Sequence, residues 1–299
     1  MRPKMNLSVL NTAFDTDSEC RQALEELRWA SGVRCLRCDS DKISRISTRN
    51  QYDCDSCRYR FSVTTGTVFH DSHLPLPKWF LAVLLMCEAK KGISANQMKR
   101  TLGVAHKTAW YLCHRIREAM SDVAPAQLSG TVEVDETYVG GRRKGVGTGN
   151  WKRNKAMVLG AIERGGEIRL STGKRNDRKT LHGFINENVA DDTKNIYTDE
   201  WQAYRGIGDA NTNHDVVNHH REEYVRGDVH TNSIEGAFGL FKRAIVGSFH
   251  QVSHKHIDRY LDEFEFRFNN RKNHYLFRDT LARMVTAKVL TYETLTKFA

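Results

Sequence analysis

Proline is scarce in this 299-residue chain, with 4 residues, and cysteine is limited to 7. So little proline, beside 21 glycines, excludes a collagen-like or broadly disordered chain. Long apolar runs are missing too. The longest, Trp79 to Cys87, is nine residues, and a membrane-spanning helix needs about 20. The first twenty residues hold no apolar stretch of the secretory-signal kind. These absences predict a cytoplasmic, reduced protein with no membrane partner. Acidic residues are the minority charge, 36 against 46 Lys and Arg, for a net charge of +10 and a pI near 9.3. A basic chain attracts polyanions, most often nucleic acid. What remains is globular in composition, 39% apolar and 27% charged. The length allows about two domains and a sizeable core.

The charge is unevenly spread. Residues 142–179 hold twelve Lys and Arg against three acids, and residues 180–238 hold eleven acids against four Lys and Arg. A basic stretch beside an acidic one suits a protein that grips a phosphate backbone and cuts it with metals held by acids. Solvated faces give the same profile, so charge supports this reading without carrying it.

Four of the cysteines form two C-x-x-C knuckles, Cys35/Cys38 and Cys54/Cys57, fifteen residues apart. Each knuckle aims two thiolates at one point, and Zn2+ takes four soft ligands tetrahedrally. The expectation is a zinc ribbon, with residues 42–52 as a β-hairpin arm and 58–63 as the return strand. A reduced compartment disfavours disulfides, and no thioredoxin-like pattern surrounds either pair. Cys20, Cys87 and Cys113 lie in helical stretches and read as small buried hydrophobes. With four cysteines in place, His70 and His73 read as loop residues.

Pro75 and Pro77 then mark a boundary. An apolar helix is expected over 78–91. Ser94 with Gln97 reads as a capping box opening a short helix, and Leu102-Gly103-Val104 as a tight turn. A second helix follows over 106–120. Helix, glycine-bearing turn, helix is the helix-turn-helix order. Its second helix would offer Lys107, Thr108, Tyr111, His114 and Arg115 to phosphates and base edges, with Trp110 and Ile116 inward. The plainer alternative is a helical bundle with basic solvent-facing residues.

After Pro125 the pattern turns to strands. Residues 131–139 (TVEVDETYV) alternate, with Glu133, Asp135 and Thr137 on one face. Residues 140–150 are a glycine-rich basic loop, read as a DNA-contacting loop or a plain hairpin extension. Strands are expected over 155–163 and 167–171, a helix capped by Thr180 to about 189, a strand ending in Asp199, a short helix over 200–204 and a strand over 215–218. Helices over 233–246 and 255–270 close the series. Ile257, Leu261, Phe264 and Phe268 form a core stripe on the last. Three antiparallel strands followed by strand–helix alternation is the order of a ribonuclease H-like fold. In that layout Asp135, Asp199 and Glu235 fall on three elements that meet at one edge, with Lys242 two helical turns beyond Glu235 on the same face. Cutting a phosphodiester needs a strong oxygen nucleophile and a stabilised leaving oxygen. Two Mg2+ ions held by a few carboxylates supply both. Singly, Asp135 reads as a solvent-facing acid, Asp199 as a helix cap, and Asn232 with Glu235 as a capping box. Together they read as a metal site.

The C-x-x-C ribbon, Gly92-Ile93-Ser94-Ala95, V-D-E-T-Y-V-G-G at 134–141, Y-T-D at 197–199 and H-T-N-S-I-E-G at 230–236 resemble bacterial insertion-sequence transposases, the zinc-ribbon DDE enzymes of the ISXO-like group. The resemblance spans about residues 13–280. It implies a multidomain α+β chain: N-terminal helix and zinc ribbon (13–74), helix-turn-helix module (75–125), ribonuclease H-like integrase core (126–280) and C-terminal tail (281–299). Asp135 and Asp199 match the first two catalytic acids, and Lys242 the lysine that follows the third. Either Asn232 or Glu235 matches the third position, and Glu235 is preferred because a carboxylate is the better ligand. The implied cofactors are structural Zn2+ and catalytic Mg2+ or Mn2+. The implied partners are double-stranded element ends and target DNA, with a homo-oligomer assembled on DNA near the nucleoid. A regulator with an inactive core, or a hydrolytic nuclease, are the competing readings.

If Lys107, Arg115, Arg142, Arg143 and Lys144 contact phosphates, DNA affinity falls steeply with salt. Arg142→Ala with Arg143→Ala is expected to lower the slope of log K against log salt by ~0.9 for each phosphate no longer neutralised. A filter-binding titration over several salt concentrations measures it, and an unchanged slope places the loop off the backbone.

Overall fold

The computed structural model describes residues 4–122, 124–140, 155–208, 212–217 and 225–297. The chain divides into two compact units, one of residues 1–121 with 273–299, the other of residues 122–272.

The first unit opens with α1 (Leu7–Ala13) and α2 (Asp17–Arg28). Thr16 and Glu19 cap α2 reciprocally, each side chain taking the other's backbone N–H. The ribbon follows as an antiparallel sheet in the order β1 (Ile43–Ile46), β2 (Gln51–Cys54), β3 (Arg60–Phe61). The return strand is two residues, not the expected six. Trp29, just past α2, meets Tyr52 and Phe61 edge-on at 5.2 and 6.0 Å and gives the ribbon its small core.

Next come α3 (Leu76–Glu88), α4 (Ala95–Leu102) and α5 (His106–Met120). Pro77 sits in the first turn of α3, where no N–H is needed. Ser94 caps α4 by accepting the Gln97 N–H at 3.1 Å. Gly103, at φ +62°, ends α4 in the left-handed region and turns the chain directly into α5.

The second unit is built on a five-stranded mixed sheet. Its order is β6 (Ile168–Gly173), β5 (Ala156–Glu163), β4 (Thr131–Val139), β7 (Asn195–Asp199), β8 (Asn213–Val217). β4, β5 and β6 run antiparallel, while β7 and β8 lie parallel to β4. Between β6 and β7 runs α6 (Arg178–Asn188). Its cap is Asp177, which accepts the Thr180 N–H at 2.9 Å, rather than Thr180 itself. The expected helix at 200–204 is a single 3-10 turn, Gln202–Tyr204. After β8 come α7 (Asn232–Ala244), which runs into a π turn at Ile245–Phe249, and α8 (Ile257–Asn269).

Alternation along the strands splits the core in two. Val132 and Val134 pack with Leu181, Phe184 and Ile185 on the α6 side. Val139, Val158 and Ile162 pack with Ile234, Phe238, Leu261 and Phe264 on the α7–α8 side. Gly160 lets α7 come close to the sheet: a Cβ there would lie 2.7 Å from Phe238 and 2.8 Å from Ile234. Gly160 pairs with Asp135 across β4–β5, so this close approach lies beside the acid.

The chain then leaves the second unit. α9 (Leu276–Met284) and α10 (Tyr292–Thr296) belong to the first unit. Phe277 meets Phe14 and Phe80 at 6.3 and 5.9 Å, and the Tyr111 hydroxyl donates to the Leu290 carbonyl. Residues 281–299, expected as a tail, instead bury Leu281, Met284, Val285, Leu290 and Leu295. Phe277, Leu281 and Met284 have helical spacing, and that apolar face needs a core.

The β6 edge is covered by α8. Asn269 pairs with both backbone groups of Ile168, and the Glu265 carboxylate accepts the Leu170 N–H at 2.8 Å. Burial pushes the Glu265 carboxyl from 4.5 up to about 7, against the opposing pull of that N–H and Arg169. The folded protein therefore holds this proton more tightly than the unfolded chain. Its contribution to stability is full below the unfolded carboxylate pKa and is lost as pH rises to about 7. Glu265→Gln, which keeps an acceptor for Leu170, is expected to flatten the fall of Tm across that window. Paired melts of both proteins against pH test it.

Candidate active site and zinc site

In the ribbon the four sulfurs of Cys35, Cys38, Cys54 and Cys57 lie within 4.8 Å of one another. Cys35–Cys57 and Cys38–Cys54 are each 3.6 Å apart. A disulfide needs ~2.05 Å, whereas four sulfurs at ~2.3 Å from a central Zn2+ stand ~3.8 Å apart. Burial pushes the Cys35 thiol up, but the N–H groups of Arg37 and Cys38 and the neighbouring cysteines outweigh it and bring it to about 6. Cys38 moves the other way: the Ser40 N–H favours its thiolate, yet hydrogen bonds with its cysteine neighbours, together with desolvation, push it up to about 12. The cluster fits structural Zn2+.

On α5, Lys107 and Thr108 are exposed, with the Lys107 ammonium 4.2 Å from the Tyr292 ring. Tyr111 and Trp110 are half-buried and Ile116 is fully buried. Arg115 does not face outward as expected. It is 4% exposed, its guanidinium lies 5.1 and 5.2 Å from the Trp79 and Tyr111 rings, and it donates to the His70 carbonyl. His114 is buried as well. The reason is packing: α3, α4 and α9 enclose the later turns of α5 and leave its first turn open. Arg142, Arg143 and Lys144 lie outside the described residues.

The acids lie on the second unit's sheet. Glu133, Asp135 and Thr137 share the α7 face of β4. In the parallel β4–β7 pair Glu133 stands beside Tyr197. The pairing ends there, and Asp135 and Asp199 each lie two residues further along, on the same face. Glu235 is in the first turn of α7, over that face. The Asp135 carboxyl is pushed well above the usual carboxylate range. Burial is the main cause, and the charges of Glu136, Asp199 and Glu235 add to it against a 2.7 Å hydrogen bond from the Glu136 N–H. Asp199 accepts the Trp201 N–H at 3.1 Å. Glu235 accepts the Thr231 hydroxyl at 2.8 Å. Lys242 is exposed further along α7, and Asn232 is exposed at its first position.

Asp135, Asp199 and Glu235 offer a different kind of donor from the four cysteines. Their donors are hard oxygens, and their mutual repulsion is what a divalent cation relieves. Mg2+ keeps several waters and needs few protein carboxylates, so the set fits such an ion.

Two family comparisons bear on this arrangement. The ISXO2-like transposase domain matches residues 127–269, and the transposase zinc-ribbon domain matches residues 15–60. A protein of Halobacterium salinarum, described as an uncharacterized protein in transposable element ISH50, is 30% identical over 275 residues, covering 85% of this chain and 91% of that protein. The chain belongs to the ISXO2-like transposase family.

Within this transposase domain the expected capping box of Asn232 with Glu235 is absent. The N-cap is Thr231, whose side chain makes no cap hydrogen bond to the helix backbone. The N–H groups of Ser233 and Ile234 are taken instead by the buried carboxylate of Glu133, at 2.7 and 3.1 Å. A strand a hundred residues away thus supplies the cap, so local spacing could not reveal it. Its sequence signal was an acid in phase with Asp135 on the same strand. On the other face of β4, Glu136 accepts the Tyr204 hydroxyl at 2.8 Å and is held by Asn176.

Protein purified without added zinc is expected to carry about one equivalent of Zn2+ per chain, by metal analysis. Cys35→Ser is expected to lose it and to loosen residues 33–63 while the second unit keeps its thermal transition.

Proposed function

We propose that this transposase-family chain binds the ends of a mobile DNA element, cuts the strand there and joins the freed 3′ end to target DNA. The carrying observation is the shared face of Asp135 and Asp199 on neighbouring parallel strands, under the α7 turn that bears Glu235. The sheet order 3-2-1-4-5 supports a ribonuclease H-like core for the second unit. The short turn between α4 and α5 supports a helix-turn-helix reading, with Lys107 and Thr108 as its DNA-facing residues.

Asp135, Asp199 and Glu235 would hold Mg2+ or Mn2+, and Glu235 is the preferred third acid over Asn232. Such ions, when bound, supply positive charge at the scissile phosphate and favour the ionised form of the attacking oxygen. The protein's part is to fix the acids before DNA arrives. The Glu136 N–H holds Asp135, the Trp201 N–H holds Asp199, and the Thr231 hydroxyl holds Glu235. Lys242, exposed on α7, would meet a phosphate beside the site. Joining two ends to one target calls for more than one subunit on the DNA.

Asp135→Asn, Asp199→Asn and Glu235→Gln are each expected to lower cleavage and strand transfer by about 10²-fold or more, as loss of a preorganised charge does. DNA binding without divalent cation should persist. Asn232→Ser should keep activity within about tenfold, because Glu133 rather than Asn232 caps α7. A gel assay on end-bearing DNA with Mg2+ and Mn2+ reads this out. Cleavage without joining marks a nuclease, and binding without cleavage in the wild type marks a regulator. Normal cleavage by Glu235→Gln beside a dead Asn232→Ser exchanges the two roles.

A further inference from the structure

Glu133, near the acids, is fully buried and engages five donors. Its Oε1 accepts from Arg164 Nε at 2.7 Å and the Ser233 hydroxyl at 3.0 Å, with His230 Nδ1 at 3.2 Å. Its Oε2 accepts from the backbone N–H groups of Ser233 and Ile234. Arg164, just past β5, spans the same region. It donates to the His230 carbonyl at 3.1 Å and lies 4.8 Å from the Tyr197 ring.

Three of these partners share a spacing. Glu133 precedes Asp135 by two residues, Tyr197 precedes Asp199 by two, and Ser233 precedes Glu235 by two. On the strands, two residues means the same face about 6.7 Å along. On α7 it means the same turn. One ion pair therefore ties together the three segments that carry the acids, one step below the acids themselves.

Stability alone does not account for this pair. A buried ion pair gains little over well-packed apolar side chains of the same volume, and its attested use is to fix one arrangement among several. We infer that Glu133 and Arg164 form a positioning clamp that sets the spacing of Asp135, Asp199 and Glu235 and so the affinity of the site for divalent cation. This rests on the metal-site reading proposed above. Neither clamp residue is assigned to touch DNA or metal. They act through β4, β7 and the first turn of α7.

The test uses the full-length, zinc-loaded chain and Mn2+ as probe, with free Mn2+ followed by electron paramagnetic resonance. Asp135→Asn marks the site. Glu133→Gln removes the charge with little change in size. Arg164→Lys keeps a positive charge but cannot reach Glu133, the His230 carbonyl and Tyr197 together. Ile185→Val and Ile185→Ala, in the α6-side core, supply graded losses of Tm away from the clamp. The clamp predicts about 10- to 100-fold weaker Mn2+ binding in Glu133→Gln and in Arg164→Lys, as for changes behind metal ligands. The Ile185 variants of equal or lower Tm should bind as wild type. Wild-type Mn2+ affinity in both clamp variants overturns the inference, and so does an equal loss in the Ile185 variants. Unchanged binding in Asp135→Asn is a separate result: it removes the metal-site reading and the clamp with it.

Discussion

Carboxylates brought together repel one another, and the second unit has to hold Asp135, Asp199 and Glu235 close in spite of that. The Asp135 carboxyl is raised mainly by its burial, and the charges of Glu136, Asp199 and Glu235 add to that. Several features bear on this constraint. β4 is central and half-apolar, so its position is fixed by two cores. β7 lies parallel to it, and each strand carries its acid two residues past their last pair, Glu133 with Tyr197. Gly160 lets α7 lie against the sheet at that level. Buried Glu133 receives the first N–H groups of α7, where the helix dipole favours a negative charge.

The first unit obeys a different constraint. The ribbon sheet has only a small core, its few aromatic rings gathered on Trp29 beside the cysteine cluster. A bound ion at the four thiolates would supply what packing does not, as metal sites do in very small folds. The helices around it draw on both ends of the chain. α9 and α10 complete the core around α3 and α5, so the first unit contains residues on either side of the second.

Much of the acid site was legible in the sequence because its chemistry is written in residue types. Asp135, Asp199 and Glu235 stood out by motif and by the elements that carry them, and the knuckle spacing announced the cysteine cluster. The bounds of β4 and α5 followed from alternation and from the turn at Gly103. Arg115 misled because helical phase separates faces but does not say how many are covered. α5 is enclosed through most of its length, and a guanidinium can be buried against rings and a carbonyl.

By itself, the sequence determined the local chemistry: a zinc-type cysteine set, a glycine-ended helix pair, alternating strands, and acids on two of those strands and on a later helix. These depend on neighbours a few residues apart, where backbone geometry fixes who meets whom. Only the tertiary structure decided that Leu281, Met284, Val285, Leu290 and Leu295 lie in a core rather than in a tail and that Glu265 covers a sheet edge. It alone showed Glu133, rather than Asn232, taking the first N–H groups of α7. Each of these is a backbone or apolar group satisfied by a partner far away in sequence, and a buried N–H accepts whichever oxygen the fold brings within reach.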